Sequence, residues 1–396
     1  MTTTRPTFDE FVAWLEAGRD QGQVHFDEHQ QCWHVLGHPE ASTVLSDPAV
    51  FSSDLTSLQP AQDDFALFQR GNLVRMDPPR HRTLRALVSQ AFTPRVVADL
   101  EPRIAALTTE LLDEAGERFD LVDALAYPLP VIVIADLLGV PTSDRALFRR
   151  WADVLLGQEI DPDQSLVEAG EQAVSAVAPV IREMNEYFLA HIRSRRRRPG
   201  SDLTSRLVQA EVDGERLAYE EIVGFVGLLL IAGHITTTAT LGNAVLAFSD
   251  EPEAAAAVRA DPALLPAAIE EVLRLRTPFP RLARLTTTEA WVGDARIPAG
   301  QVVLPWLAAA NRDGRVFAEP QRFDLHRRPN PHLTFGHGVH FCLGAPLARL
   351  EARLVLGMLL DRYPALRTIP GEPPVPLATS TMTGVSTLPL ATAKAD

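Results

Sequence analysis

Along most of this chain apolar residues return every three or four positions. The stretches "PRVVADLEPRIAALTTELLDEAGERFD" (94–120), "LVEAGEQAVSAVAPVIREMNEYFLAHIRSRRRR" (166–198) and "APLARLEARLVLGMLLDRY" (345–363) all carry that period. It predicts amphipathic helices, because only a helix gathers such residues onto one face. A fourth run, "LLLIAGHITTTATLGNAVLAF" (228–248), is apolar almost all round and predicts a buried helix. Strand-like segments are short and fall in two places. They are "VHFDEHQQCWHVLG" (24–37) and residues 281–306, where "AWVGDARIPAGQVVLPW" (290–306) reads as strand, turn, strand. No internal repeat is visible. The expected class is mainly α with a small β region: a single domain over 1–396, with a helix-rich lobe and a smaller β-containing lobe.

Composition narrows the picture. At 396 residues and 46% hydrophobic, the chain can bury a large core. Cys32 and Cys342 are its only cysteines, too few for a disulfide framework, so a reducing cytoplasm is expected. The opening "MTTTRPTFDEFVAWLEAGRD" has no basic leader and no long apolar run, so neither a signal peptide nor a membrane anchor is expected. A net charge of −14 argues against nucleic-acid binding. Lys394 is the only lysine, which fits a GC-rich bacterial genome. The run "RSRRRRPGSD" reads as a solvated helix end, where cations complement the dipole.

The candidate chemistry centres on "HLTFGHGVHFCLG" (332–344), where Cys342 sits among three histidines and three glycines. A zinc site built with His337 and His340 lacks a fourth ligand nearby. A nucleophilic thiol has no local base or oxyanion site. A haem-thiolate site needs one cysteine, glycines that let the loop lie against the porphyrin, and donors to the sulfur. The helix starting just after Cys342, with Pro346 in its first turn, supplies N–H groups and a positive dipole end that favour a thiolate.

Phe335-Gly336-x-Gly338-x-His340-x-Cys342-x-Gly344 matches the haem-binding signature of the cytochrome P-450 family, and the chain resembles that family's soluble bacterial members. The resemblance implies a fold in which haem lies between a long distal helix and a proximal cysteine loop. It implies haem b with Cys342 as axial ligand, dioxygen as co-substrate, and Phe335, Gly336 and Gly344 shaping the loop. It assigns His81, Arg85, Arg284 and His340 to the haem propionates. "IEEVLR" with the later "EPQRF" implies a structural network of Glu271, Arg274 and Arg322. Ala232, Gly233 and Thr236 become the distal catalytic positions, on a helix expected to be locally distorted there. Most members carry an acid just before that threonine; this chain has Ile235 instead, and the adjacent His234 is expected to face away.

The same likeness places the substrate pocket at Leu67, Phe68, Leu73, Val74, Leu229, Ile235, Phe279, Leu282 and Met382. That lining is apolar and suits a neutral lipophilic substrate, free or held on a carrier protein. The expected function is hydroxylation or epoxidation in secondary-metabolite tailoring. Electrons would come from NAD(P)H through ferredoxin reductase and ferredoxin, the latter drawn to Arg80, Arg82, Arg349 and Arg353. A peroxide-driven or oxidative-coupling enzyme is the nearest alternative, and a haem-binding sensor the non-enzymatic one. A cytoplasmic monomer, without membrane or nucleic-acid partners, completes the expectation.

Overall fold

The computed structural model describes residues 7–58, 63–156, 166–212, 214–377 and 381–393. The chain forms two compact units: residues 1–51, 105–127 and 236–396, and residues 52–104 and 128–235. The unit that carries the main sheets takes up more of the chain than the other, so the β-containing lobe is the larger one and not the smaller. It also holds the helices Leu265–Leu275 and Ala345–Arg362, the second of which starts just after the cysteine loop.

Its principal sheet has five strands, in the order Val24–Asp27, Cys32–Val35, Val302–Pro305, Arg284–Thr286, Phe51–Ser52. Val302–Pro305 runs parallel to Cys32–Val35 and antiparallel to Arg284–Thr286. The strand, turn, strand pattern at 290–306 resolves into the hairpin Ala290–Val292 with Ala295–Ile297, after which Val302–Pro305 leaves to join the main sheet. Val35, Val44, Phe51, Val292, Ile297, Val303 and Leu333 close into one core cluster beneath it. Burying side chains of this size contributes about 1.5–3 kcal/mol each.

Helices dominate the second unit. One is Arg80–Ala91, which buries His81, Leu84, Leu87 and Val88. The helix expected over 94–120 is broken instead into Pro94–Ala98 and Glu101–Ala115. Pro102 has no N–H to give to Ala98, and it is tolerated because it falls in the first turn of the second helix.

The helix Tyr219–Asp250 is long and apolar enough to cross a membrane, yet 67% of its apolar window is buried in the protein, as in a core helix. It runs unbroken through Ala232–Thr238, so the expected distortion is not found. Thr240 donates its hydroxyl to the Thr236 carbonyl at 2.7 Å within the continuous helix. Gly233 has a packing reason of its own: a Cβ there would stand 2.7 Å from Ile134 Cδ1.

Two further glycines bring backbone against backbone. A Cβ on Gly71 would lie 2.0 Å from the Glu221 carbonyl, and one on Gly224 would lie 2.5 Å from both Gly71 N and the Phe68 carbonyl. No side chain fits between the chain at Phe68–Gly71 and this helix.

Candidate active site

The cysteine loop is built by its backbone. Cys342 N–H donates to the Phe335 carbonyl at 2.8 Å, and Gly336 N–H donates to Leu333 O at 2.7 Å. Gly336 and Gly338 have φ of +73° and +68°, a region that side-chain-bearing residues avoid. At Gly338 a Cβ would also meet the Leu45 carbonyl at 2.8 Å. The loop's entry is fixed by Asn311, which accepts from Leu333 N–H at 2.7 Å and donates to Thr334 Oγ1 at 2.9 Å. Cys342, which forms no disulfide, thereby reaches an exposed position just before the helix Ala345–Arg362, flanked by the exposed ring of Phe341.

Behind the loop lies a buried ion network. Glu271 and Arg274, both fully buried, pair at 2.6 and 2.8 Å. The expected second arginine is corrected. Arg327, not Arg322, donates Nε–H to Glu271 Oε1 at 2.9 Å. Arg322 turns its exposed guanidinium to Glu319 and contributes only its carbonyl, which accepts from Arg274 at 2.9 Å. Glu271 also accepts from Asp324 N–H and the Asn330 amide, so the buried charge is well satisfied.

A neighbouring cluster was not foreseen. Glu270 takes two hydrogen bonds from Arg349, both 2.7 Å, and lies 3.0 Å from His332 Nε2. Burial raises the Glu270 pKa, but the Arg349 and His332 hydrogen bonds outweigh it and hold the carboxyl down to about 2. Arg349 stacks over the Phe335 ring at 4.4 Å. Its own pKa is raised, chiefly by Glu270 and in smaller part by the charge of Cys342.

The other assigned residues lie as follows. Arg284 is buried in its strand, with Nη1 donating to Ala283 O at 2.8 Å. Nearby Arg281 is committed elsewhere, over the Trp306 ring at 5.1 Å. His340 ends the short 3₁₀ turn Gly338–His340 in the cysteine loop. In the second unit His81 is buried at the start of the helix Arg80–Ala91, and burial, then Arg85, lowers its pKa. Asp77 steadies the segment before that helix, accepting from Ser53 N–H at 2.9 Å and Ser52 Oγ at 2.5 Å. Of the pocket residues, Leu73, Leu229, Ile235 and Met382 are buried, whereas Val74 is exposed. Leu67, Phe68 and Phe279 are half-buried, with Phe68 against the long helix at Gly227. Leu282 packs on the core cluster around Val303, because its N–H is held by Pro305 O at 3.0 Å.

Among the described residues no three His, Cys, Asp or Glu gather to chelate a bare metal ion, so His337 and His340 do not make a zinc site with Cys342. A single exposed thiol suits a metal that arrives already ligated in a macrocycle. Cys342 is exposed, and even a Cβ on Gly344 would stand only in ordinary contact with its sulfur, at 3.9 Å, so the thiol is open to a flat ligand. The residues fit a haem.

The cytochrome P-450 sequence model matches residues 23–391, nearly the whole chain. The chain belongs to the cytochrome P-450 family. This P-450 is 44% identical to the cyclomarin C epoxidase CymV of Salinispora arenicola, covering 88% of each chain. It is 46% identical to the erythromycin C-12 hydroxylase of Saccharopolyspora erythraea, over 88% of this chain and 86% of that enzyme. The crystal structure of HmtT, involved in himastatin biosynthesis, superposes with a TM-score of 0.87 at 51% identity, covering 96% of each chain. This P-450 is accordingly a haem-thiolate monooxygenase, using haem and dioxygen.

Proposed function

We propose that this P-450 hydroxylates or epoxidises a neutral, lipophilic secondary metabolite. Electrons reach it from NAD(P)H through a ferredoxin reductase and a ferredoxin in the cytoplasm. Residues 1–396 are read as one catalytic domain. The exposed Cys342 thiol on its backbone-fixed loop carries the reading. Haem ligated by that sulfur supplies the activation of dioxygen.

The chain's own residues do the rest. Cys342 would hold the haem through its sulfur, and the helix that follows it favours the anionic form. Phe335, Gly336 and Gly344 hold the loop open to the macrocycle. By the family likeness, His81, Arg85, Arg284 and His340 would hold the propionates. Leu73, Leu229, Ile235 and Met382 present apolar surface that binds substrate and excludes water, while Thr236 hydrogen-bonds in the proton path beside Ala232 and Gly233. The two relatives above are an epoxidase and a hydroxylase, and the apolar lining supports the same chemical class here.

Carbon monoxide added to the dithionite-reduced protein should give the far-red-shifted Soret band of thiolate-ligated haem. Cys342→His should move that band to the position of imidazole-bound haem. A wild-type band already at the imidazole position overturns the assignment. The acid missing at Ile235 favours a second reading, a peroxide-driven reaction. Product formed from hydrogen peroxide alone, at rates matching the ferredoxin-supported reaction, would select it.

A further inference from the structure

The helical second unit holds a cleft of about 460 Å³ lined by three arginines, Arg70, Arg80 and Arg216, and a single carboxylate, Glu221. In a chain of net charge −14 that is a local reversal of sign. The arginines come from three elements. Arg70 ends the helix Asp63–Arg70, Arg80 opens Arg80–Ala91, and Arg216 belongs to the short hairpin of Glu211–Val212 with Glu215–Arg216. Glu221 is buried, and its charge is already met by Arg80 and by the Ala218 N–H, which donates to it at 2.8 Å. Two more acids stand near but do not line the cleft. Glu215 lies 3.5 Å from Arg80 and Glu211 lies 2.6 Å from Arg216, both in pairs exposed on each side. Exposed pairs are weak and yield to a ligand of higher charge. Arg216 spends Nε and Nη2 on Glu211, which leaves Nη1 for a ligand. Arg70 is exposed and has no acidic partner among the described residues. The close approach of Gly71 to the chain at Glu221 and Gly224 holds it beside the start of the long helix.

We infer that this cleft binds a phosphate group, as a site apart from the residues assigned to haem and substrate. One guanidinium fork satisfies a carboxylate, whereas a phosphate dianion has oxygens enough for several forks at once. Gln69 adds an amide donor to the lining, and Met76 and Ala218 add apolar surface for the organic part of a phosphate ester. The volume falls in the range of small-molecule sites. Once bound, the phosphate ties residues 69–76 to the hairpin at 211–216 and to the first turn of the long helix. Free phosphate and a phosphate ester share this chemistry, and the test separates them.

The haem-loaded protein is titrated calorimetrically, in phosphate-free buffer of low ionic strength, with inorganic phosphate, glycerol 3-phosphate and acetate. At least one of the two phosphates should bind saturably, and acetate at least tenfold more weakly. Arg70→Gln should weaken phosphate binding by about tenfold, as loss of one charge-assisted hydrogen bond requires. Arg95→Gln removes an exposed arginine outside the cleft and should leave binding unchanged. Tighter binding of glycerol 3-phosphate makes the ligand an ester, and tighter binding of inorganic phosphate makes it the free ion; either supports the site. Phosphate should also slow amide exchange at 69–76 and 214–221 in the wild type and not in Arg70→Gln. The proposal is overturned by no saturable binding of either phosphate, by acetate binding as tightly, or by equal weakening in Arg70→Gln and Arg95→Gln. Exchange slowed only outside these two segments overturns it as well. None of these readouts passes through the haem, so they are decided independently of the monooxygenase reading.

Discussion

Cys342 is held by atoms that no side-chain substitution removes, because its N–H and those of its neighbours bond to carbonyls. The side chains closest to it act on charge instead. Glu270 stays ionised far below the usual carboxylate range, since Arg349 and His332 together outweigh its burial. A depressed folded-state pKa contributes stability that is fully present above the unfolded value, about 4.5, and is lost as pH falls towards 2. Denaturant titrations at pH 6, 4 and about 3 should therefore show a steeper acid loss for the wild type than for Glu270→Gln. Parallel curves would mean that the Arg349 pair contributes nothing to folding.

At the scale of elements, Leu265–Leu275 and the irregular chain after it form one buried ion network. Removing one partner from such a network costs about 3–5 kcal/mol, whereas an exposed pair is worth about 0–1 kcal/mol. Arg327→Ala should lower the urea midpoint sharply and Arg322→Ala hardly at all; equal losses would contradict the arrangement. The Glu271–Arg274 half of this network was legible because both residues share a helix, and i,i+3 spacing sets them side by side. The other half was not. Residues 319–330 have no period from which to decide whether Arg322 or Arg327 turns inward. The cysteine loop could be read because its glycines mark the unusual backbone itself. Glu351 on Ala345–Arg362 is buried for a periodic reason, since it stands in the i,i+4 row of Leu347, Val355 and Leu359. The unbroken distal helix could not be foreseen, since Gly233 is required by Ile134, a contact made only in three dimensions.

For the whole molecule, a net charge of −14 would repel an acidic ferredoxin, so encounter depends on local positive potential. Two of the arginines expected to supply it are already paired: Arg80 with Glu221 and Glu215, and Arg349 with Glu270. Arg82 and Arg353 are exposed as well. Reduction by an acidic ferredoxin should slow as ionic strength rises, and Arg82→Glu should slow it more at low salt than at high. A stopped-flow rate that ignores salt would exclude electrostatic steering.

The Gly71–Gly224 contact works as a rivet between the chain near residue 71 and the long helix. With main chain pressed on main chain, that segment has no slack to slide along the helix axis. If substrate enters beside Leu73, as proposed, it would be admitted by bending of the chain on either side of the rivet, and the reach of that bend would set the largest molecule the site takes.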